Sequence, residues 1–335
     1  MKLIWLPLEI LDERYTSMTR QLYSEGFERN RIPFIMIQGE SLVNRIETNR
    51  GKGFLDPYGT IFYKSSQVMK LAQMFRNKQI ESGDVIFIDD VQFPIELIRY
   101  IERMSDMKVK IFGVQHSGTY IRTDDINKMG EEYQLQEEYW LSTLDGIFVG
   151  SKFHKNEIIN RYPNLRKKIH VTGLPFDRNE VLKVSKPRKF EEREDIVLFL
   201  GRLHKEKQPE LFEVLERDIK KRTKRDDIQF IKTMEHDLSK KEYYELLSKS
   251  KVSVSFALQE NFGYAIRESA VLQCIPICPN SLSYPEFLPR ELLYNSFAEC
   301  VDKVLYYLEH PYNTGDIFGA DESVDRMIEV IKSCC

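Results

Sequence analysis

The chain reads as an α/β protein built from two parallel sheets, each covered by helices. Short apolar runs of strand length alternate with longer helical stretches, the pattern of strand–helix–strand units. The alternation runs through both halves of the chain. A charged, apolar-poor segment from Asp177 to Asp195, with Pro187 inside it, separates the halves and reads as a linker or surface excursion. At 335 residues there is enough chain for two medium-sized cores.

Taken in order, Lys2 to Leu6 is a buried strand ending at Pro7, and the segment onward to about Arg31 is helical in character. Phe34 to Gln38 is the second strand. Gly51 to Gly59 is a Gly-rich, Asp-Pro-containing surface loop, and a helix from about Ser65 to Lys78 leads to the strand Val85 to Ile88. That strand ends in Asp89 and Asp90. Carboxylates at the C-terminal end of a parallel strand stand where open α/β sheets place ligands, so both are candidates for an acceptor hydroxyl. The alternative is a helix cap before Pro94.

Val109 to Val114 ends in Gln115-His116-Ser117-Gly118-Thr119, a small, amide-rich turn suited to close ligand approach. His116, Ser117 and Thr119 are the candidates there. Ile147 to Val149 repeats the strand-to-helix turn. Lys152, Lys155, Arg161, Arg166, Lys167 and Lys168 then form the most basic segment, read chiefly as solvated helix charge, with a polyanion groove as the alternative. Ile169 to Thr172 closes the first half.

In the second half the strands are Ile196–Leu200, Ile228–Ile231, Val252–Phe256 and Ile275–Ile277. Helices open at Pro209, a residue suited to a first helical turn, at Ser239 and near Phe262. The tail, Asp321 to Ile331, is amphipathic.

Net charge of −3 argues against nucleic-acid binding by bulk electrostatics. No apolar run has membrane-spanning length, and the opening MKLIWLPLEILDE has neither a basic lead nor a cleavage site. The expectation is a cytoplasmic protein with no stable membrane insertion. Five cysteines give no disulfide framework, and no zinc spacing or phosphate-loop motif is present, so neither metal nor cofactor is expected.

Chemistry concentrates between Val252 and Glu286. A strand feeding a helix N-terminus is an anion site, because the first N–H groups are unpaired and the dipole is positive there. Glu260 and Glu268 flank that helix start with seven residues between them. Carboxylates do not bind phosphate; they accept hydrogen bonds from hydroxyls, as on a sugar or ribose. Phosphate at the helix end and hydroxyls at two acids point to a nucleotide sugar.

This E-x7-E pattern, with Asn261-Phe262-Gly263 embedded, resembles the donor site of GT-B glycosyltransferases, family 4 in particular. Gly201-Arg202-Leu203-His204-Lys205-Glu206-Lys207 is similar to the family's G-R-L-x-x-E-K segment, whose Arg and Lys hold the donor's diphosphate. The resemblance implies two Rossmann-like domains facing across a cleft: residues 1–174 for the acceptor, 175–318 for the nucleotide sugar, and a helix in 319–335 packing back on the first domain. It implies Arg202 and Lys207 on the diphosphate, with backbone donors near Phe262 and Gly263. Glu268 would accept from ribose hydroxyls and Glu260 from the transferred sugar. His116 would approach that sugar from the other domain. Transfer is expected to be retaining and metal-independent, from a UDP-sugar, with no side-chain general base named.

The stretch after the first strand, Pro7 to Thr16, has no glycine where many family members carry a Gly-rich loop. It is similar instead to the opening of some phage-encoded glycosyltransferases of modified DNA bases. Arg14, Arg20, Arg29, Arg31, Arg45, Arg50 and Lys52 are scattered through the same half. The leading expectation is therefore glucose transfer to hydroxymethylated pyrimidine in double-stranded phage DNA. The alternatives are synthesis of an envelope glycan or glycolipid, and a GT-B protein that binds without turnover.

Overall fold

The computed structural model describes residues 1–10, 16–42, 56–123 and 125–335. Among these residues lie two all-parallel sheets, one of six strands and one of five. The chain divides into two compact units. One takes in the described residues up to Pro175 together with Glu322–Cys335, and the other is Phe176–Asp321.

The first unit runs β1 (Leu3–Leu6), α1 (Thr16–Arg29), β2 (Phe34–Met36), α2 (Pro57–Arg76), β3 (Val85–Ile88), α3 (Ile95–Met104), β4 (Lys110–Val114), α4 (Gly130–Thr143), β5 (Gly146–Val149), α5 (Lys152–Arg161) and β6 (Ile169–Val171). Its strand order is β2-β1-β3-β4-β5-β6. Strands β1, β3 and β5 are buried at every residue, which is why they read as continuous apolar runs. The period of two still sorts the side chains. Trp5, Phe87, Phe112 and Phe148 form an aromatic layer with Tyr23 and Phe27 of α1. Ile4, Leu6, Ile86, Ile88, Ile111, Ile147 and Val149 belong to an aliphatic cluster with Val68, Leu71 and Ile98 of the next two helices.

The second unit runs α6 (Arg178–Val184), β7 (Glu194–Phe199), α7 (Pro209–Thr223), β8 (Gln229–Lys232), α8 (Lys240–Lys249), β9 (Ser250–Val254), α9 (Tyr264–Val271), β10 (Ile275–Pro279), β11 (Leu293–Tyr294) and α10 (Phe297–Glu309), in strand order β11-β10-β9-β7-β8.

Three expectations change. The helix read from Ser65 begins two turns earlier, because Asp56 caps it, accepting from the Tyr58 N–H at 3.0 Å, with proline in the first turn. Gly59 is thus helical, and residues 51–55 of the expected loop lie outside the described residues. The segment read as linker holds α6, capped by Asp177 at 2.7 Å from the Asn179 N–H and seated by buried Val181. Helix α9 starts at Tyr264 rather than Phe262, because Gly263 takes a left-handed conformation at φ +82° just before it.

The last helix, α11 (Ser323–Cys334), belongs to the first unit and packs on α1. It buries Val324, Met327, Ile328 and Ile331. Asp325 pairs with Arg29 at 2.7 Å, and Arg326 Nε donates to the Thr172 carbonyl at 2.8 Å. Gly26 makes the approach possible, since a Cβ there would lie 2.4 Å from Val324 Cγ1. Gly26→Ala should therefore destabilise the protein by about 1–3 kcal/mol through overpacking, despite alanine's better helix propensity. Adding Val324→Ala should recover part of that loss, as a double-mutant cycle followed by chemical denaturation will report.

Candidate functional site

In the second unit the chain leaves β7 for β8 on one side and then crosses back to β9 on the other. The carboxyl ends of β7 and β9 thus form a switch point, where open α/β sheets take ligands. Both sequence motifs stand there, one after each strand. Gly201 keeps the first loop close: a Cβ at that position would lie 3.0 Å from Phe199 Cζ and 3.1 Å from Lys207 Cβ. Lys207 reaches across to the second loop, with Nζ 2.5 Å from the Gln259 carbonyl and 3.2 Å from Glu260 Oε2. The Leu258 N–H donates to the Glu206 carbonyl at 2.7 Å, a second tie between the loops.

Glu260 is the centre of this arrangement. Its Oε1 accepts from the Gly263 N–H at 2.9 Å and from the Phe262 N–H at 3.4 Å. Burial pushes its carboxyl up, but Lys207 and the two backbone donors outweigh that and hold it below the usual carboxylate range. The two N–H groups expected to face a diphosphate are thus taken up by Glu260 itself. Among the predicted residues, Arg202, Lys207, Glu260, Asn261, Phe262 and Gly263 fall on these two loops. Arg202 pairs with the buried carboxylate of Glu206, which also meets His204 Nδ1 at 2.7 Å. Glu268 stands further along α9, accepting from the Tyr244 hydroxyl at 2.8 Å. Burial raises its carboxyl, and the Tyr244 hydrogen bond offsets only part of that.

The first sheet has its own switch point, between β1 and β3, and Asp89 and Asp90 follow β3 there. Asp89 does not present itself to an acceptor. It is buried, accepting from Trp5 Nε1 at 2.7 Å and the Leu8 N–H at 3.2 Å, so it ties the β1 and β3 loops together. Asp90 is neither a helix cap nor open, since Lys64 Nζ sits 2.7 Å from its Oδ2. Burial raises the Asp90 carboxyl, but Lys64 and His116 more than offset this and leave it lowered.

His116 Nε2 lies 2.8 Å from the Asp89 carbonyl. A carbonyl only accepts, so Nε2 carries the hydrogen and Nδ1 is the acceptor nitrogen. Burial lowers the imidazole's pKa, and Asp90 restores only part of it. Ser117 accepts at its carbonyl from Gln115 Nε2 at 2.7 Å. Thr119 is not available to an acceptor: it is buried, and both its N–H and its hydroxyl donate to Glu137. Gly118 fits beneath that carboxylate because a Cβ would meet Glu137 Oε1 at 2.3 Å.

Sequence reading missed Lys64, Glu137 and Tyr244. Lys64 and Glu137 look like surface helix charges in sequence, and only the fold turns them inward. Glu206 lies inside the G-R-L-x-x-E-K segment, but its pairing with Arg202 and His204 is not readable from that pattern. Two members of the basic segment are also spent internally: Lys155 Nζ meets the Ile169 carbonyl and Lys168 Nζ the Leu144 carbonyl, each at 2.7 Å. Arg29 is paired as described above. Arg14, Arg45, Arg50 and Lys52 lie outside the described residues. Among the described residues no group of three or more His, Cys, Asp or Glu side chains is placed to hold a metal ion, and no helix is long and apolar enough to cross a membrane.

No family model matches the chain. A stretch of 69 residues is 42% identical to the tRNA-queuosine alpha-mannosyltransferase of Drosophila melanogaster, covering 21% of this chain and only 18% of that protein. Among solved structures, sucrose-phosphate synthase from Thermosynechococcus elongatus aligns over 99% of both chains at 13% identity, with a TM-score of 0.67. The UDP-forming alpha,alpha-trehalose-phosphate synthase from Burkholderia vietnamiensis aligns over 99% of this chain and 98% of its own, at 12% identity and a TM-score of 0.64. These likenesses, with the two parallel sheets and their helices, show the GT-B fold.

Burial pushes the Asp89 carboxyl up to about 7, the hydrogen bonds from Trp5 and Leu8 offsetting only part of it. Between its ordinary value of 3.8 and about 7 the folded protein therefore binds more protons at this site than the unfolded chain, and stability falls as pH rises. Asp89→Asn removes the titration. Its melting temperature relative to wild type should climb from about pH 4 to about pH 7 and then level off, measured at fixed ionic strength.

Proposed function

We propose that the chain is a nucleotide-sugar-dependent glycosyltransferase that moves a hexose to a hydroxyl on a modified nucleobase. The observation that carries the reading is the meeting of the two motifs at the β7/β9 switch point, with Lys207 bonded to Glu260 across it. An isolated loop lysine or capping glutamate has ordinary explanations. Lys207 and an ionised carboxylate meeting at the ligand-binding edge of a parallel sheet, with Arg202 on the same loop as Lys207, suit a molecule with a diphosphate at one end and hydroxyls at the other.

In this reading Arg202 and Lys207 neutralise the charge that grows on the departing diphosphate. A preorganised donor aimed at developing charge is worth roughly 3 kcal/mol. They supply what a divalent ion supplies in a metal-dependent transferase, so turnover should survive a chelator. Glu260, fixed by three donors, accepts from hydroxyls of the transferred sugar, and Glu268 from those of the ribose. Transfer proceeds with retention, by resemblance to the family whose motifs these residues match, and UDP-glucose is the leading donor.

The acceptor we favour is hydroxymethylated pyrimidine in double-stranded DNA, supported by the likeness of the opening segment to phage enzymes. A second reading, a modified nucleoside in tRNA, is supported by the 42% identical stretch shared with a protein named for mannosylating queuosine in tRNA. Both place the reactive hydroxyl on a base rather than on a free sugar.

An intact-mass assay separates them. The protein is incubated with UDP- and GDP-sugars and either duplex DNA carrying hydroxymethylated cytosine or uracil, or queuosine-bearing tRNA, with unmodified counterparts as controls. A hexose-sized gain on one modified substrate alone, undiminished by EDTA, is the expected result. Lys207→Ala and Glu268→Ala should each cut turnover by about 100-fold or more while the far-ultraviolet circular dichroism stays unchanged. Wild-type rates in either variant would sink the donor-site assignment.

A further inference from the structure

Arg267 is placed where a cation is least favoured. It sits in the first turn of α9, against the positive end of the helix dipole. It is largely buried, and burial pushes its guanidinium down to about 10. Nearby Tyr264, Glu260, Asp321 and Glu286 offset only part of that. Of its five N–H donors, the bond seen in the structure is Nε to the Phe262 carbonyl at 3.1 Å.

What holds it is aromatic. The guanidinium carbon lies 4.0 Å from the Phe262 ring centroid, 4.2 Å from that of Phe287 and 4.8 Å from that of Phe318. Desolvated contacts of this kind attract a guanidinium through the ring quadrupole more strongly than exposed ones do. A helical side chain leans toward the N-terminus of its helix, which brings Arg267 back onto the loop that precedes α9. The consequence falls on one peptide unit. Phe262 has its N–H on Glu260, its carbonyl on Arg267 and its ring under the guanidinium. Gly263 is confined beside it, since even a Cβ there would come within 3.1 Å of Phe287 Cζ.

We infer that Arg267 is a positioning residue for sugar recognition: it locks the Glu260–Gly263 turn, and through that turn aims the Glu260 carboxylate. The inference rests on the donor-site reading above and adds to it a division of labour. Arg202, Lys207 and Glu268 hold the nucleotide, whereas Arg267 governs only the sugar end. The planar fork is what the three rings enclose, so a lysine, which keeps the charge but not the shape, does not replace it.

The test compares UDP with UDP-glucose on the full chain. For Arg267→Lys and Arg267→Gln, calorimetric affinity for UDP should stay within about threefold of wild type, whereas kcat/KM for the intact sugar donor falls by about tenfold or more. Discrimination between UDP-glucose and UDP-galactose should shrink in the same variants. A parallel loss of UDP and UDP-glucose affinity would mean a merely structural residue, and full rescue by lysine would mean a simple charge effect; either overturns the inference. Unchanged kinetics in both variants does so as well. If wild type binds no UDP while Lys207→Ala behaves identically, the donor reading itself falls and takes this inference with it.

Discussion

The second unit's site depends on one carboxylate accepting from three donors. Glu260 takes Lys207 from the loop after β7 and two backbone N–H groups from its own turn. A carboxylate in that position is costly to bury, and an unpaired one would shift toward its neutral form. Here the donors reverse the shift, so the group stays ionised and able only to accept. This makes the turn a fixed acceptor rather than a flexible cap. It also joins two loops that are far apart in sequence but adjacent at the edge of the sheet.

The same device recurs elsewhere with no ligand role assigned. Glu206 gathers Arg202 and His204, and Glu137 gathers Thr119 and Tyr162. Each is a buried carboxylate whose function is to hold a loop at the carboxyl edge of a strand. Loops there carry ligand contacts, yet a loop by itself has few apolar anchors. Ionic hydrogen bonds, stronger than neutral ones, supply the missing rigidity.

Much of the fold was legible in sequence because parallel strands buried on both faces leave uninterrupted apolar runs. Leu3–Leu6, Val85–Ile88 and Ile196–Leu200 are of this kind, with Pro7 ending the first, Asp89 the second and Gly201 the third. The donor motifs were legible because they are contiguous. What stayed hidden was long-range pairing. Nothing local tells that Asp89 meets Trp5, 84 positions earlier, or that Tyr244 meets Glu268. Lys64 lies in a helix that also buries Ser66 and Gln67, and only the crossover from β2 to β3 brings it to Asp90. Thr119 and Asp89 look open in sequence for the same reason. A polar residue at a strand end looks alike in sequence whether it awaits a ligand or already has a partner.

Helix α11 closes on α1 across most of the sequence, the paired Arg29 and Asp325 standing 296 positions apart. The second unit is therefore an insertion within the first in the order of synthesis. The first sheet emerges early, but the face of α1 that meets Val324 and its neighbours stays uncovered until the last helix is made. Completion of the first unit must wait until Glu322–Cys335 has been made, after the whole of the second unit. The second unit, contiguous in sequence, has no such delay.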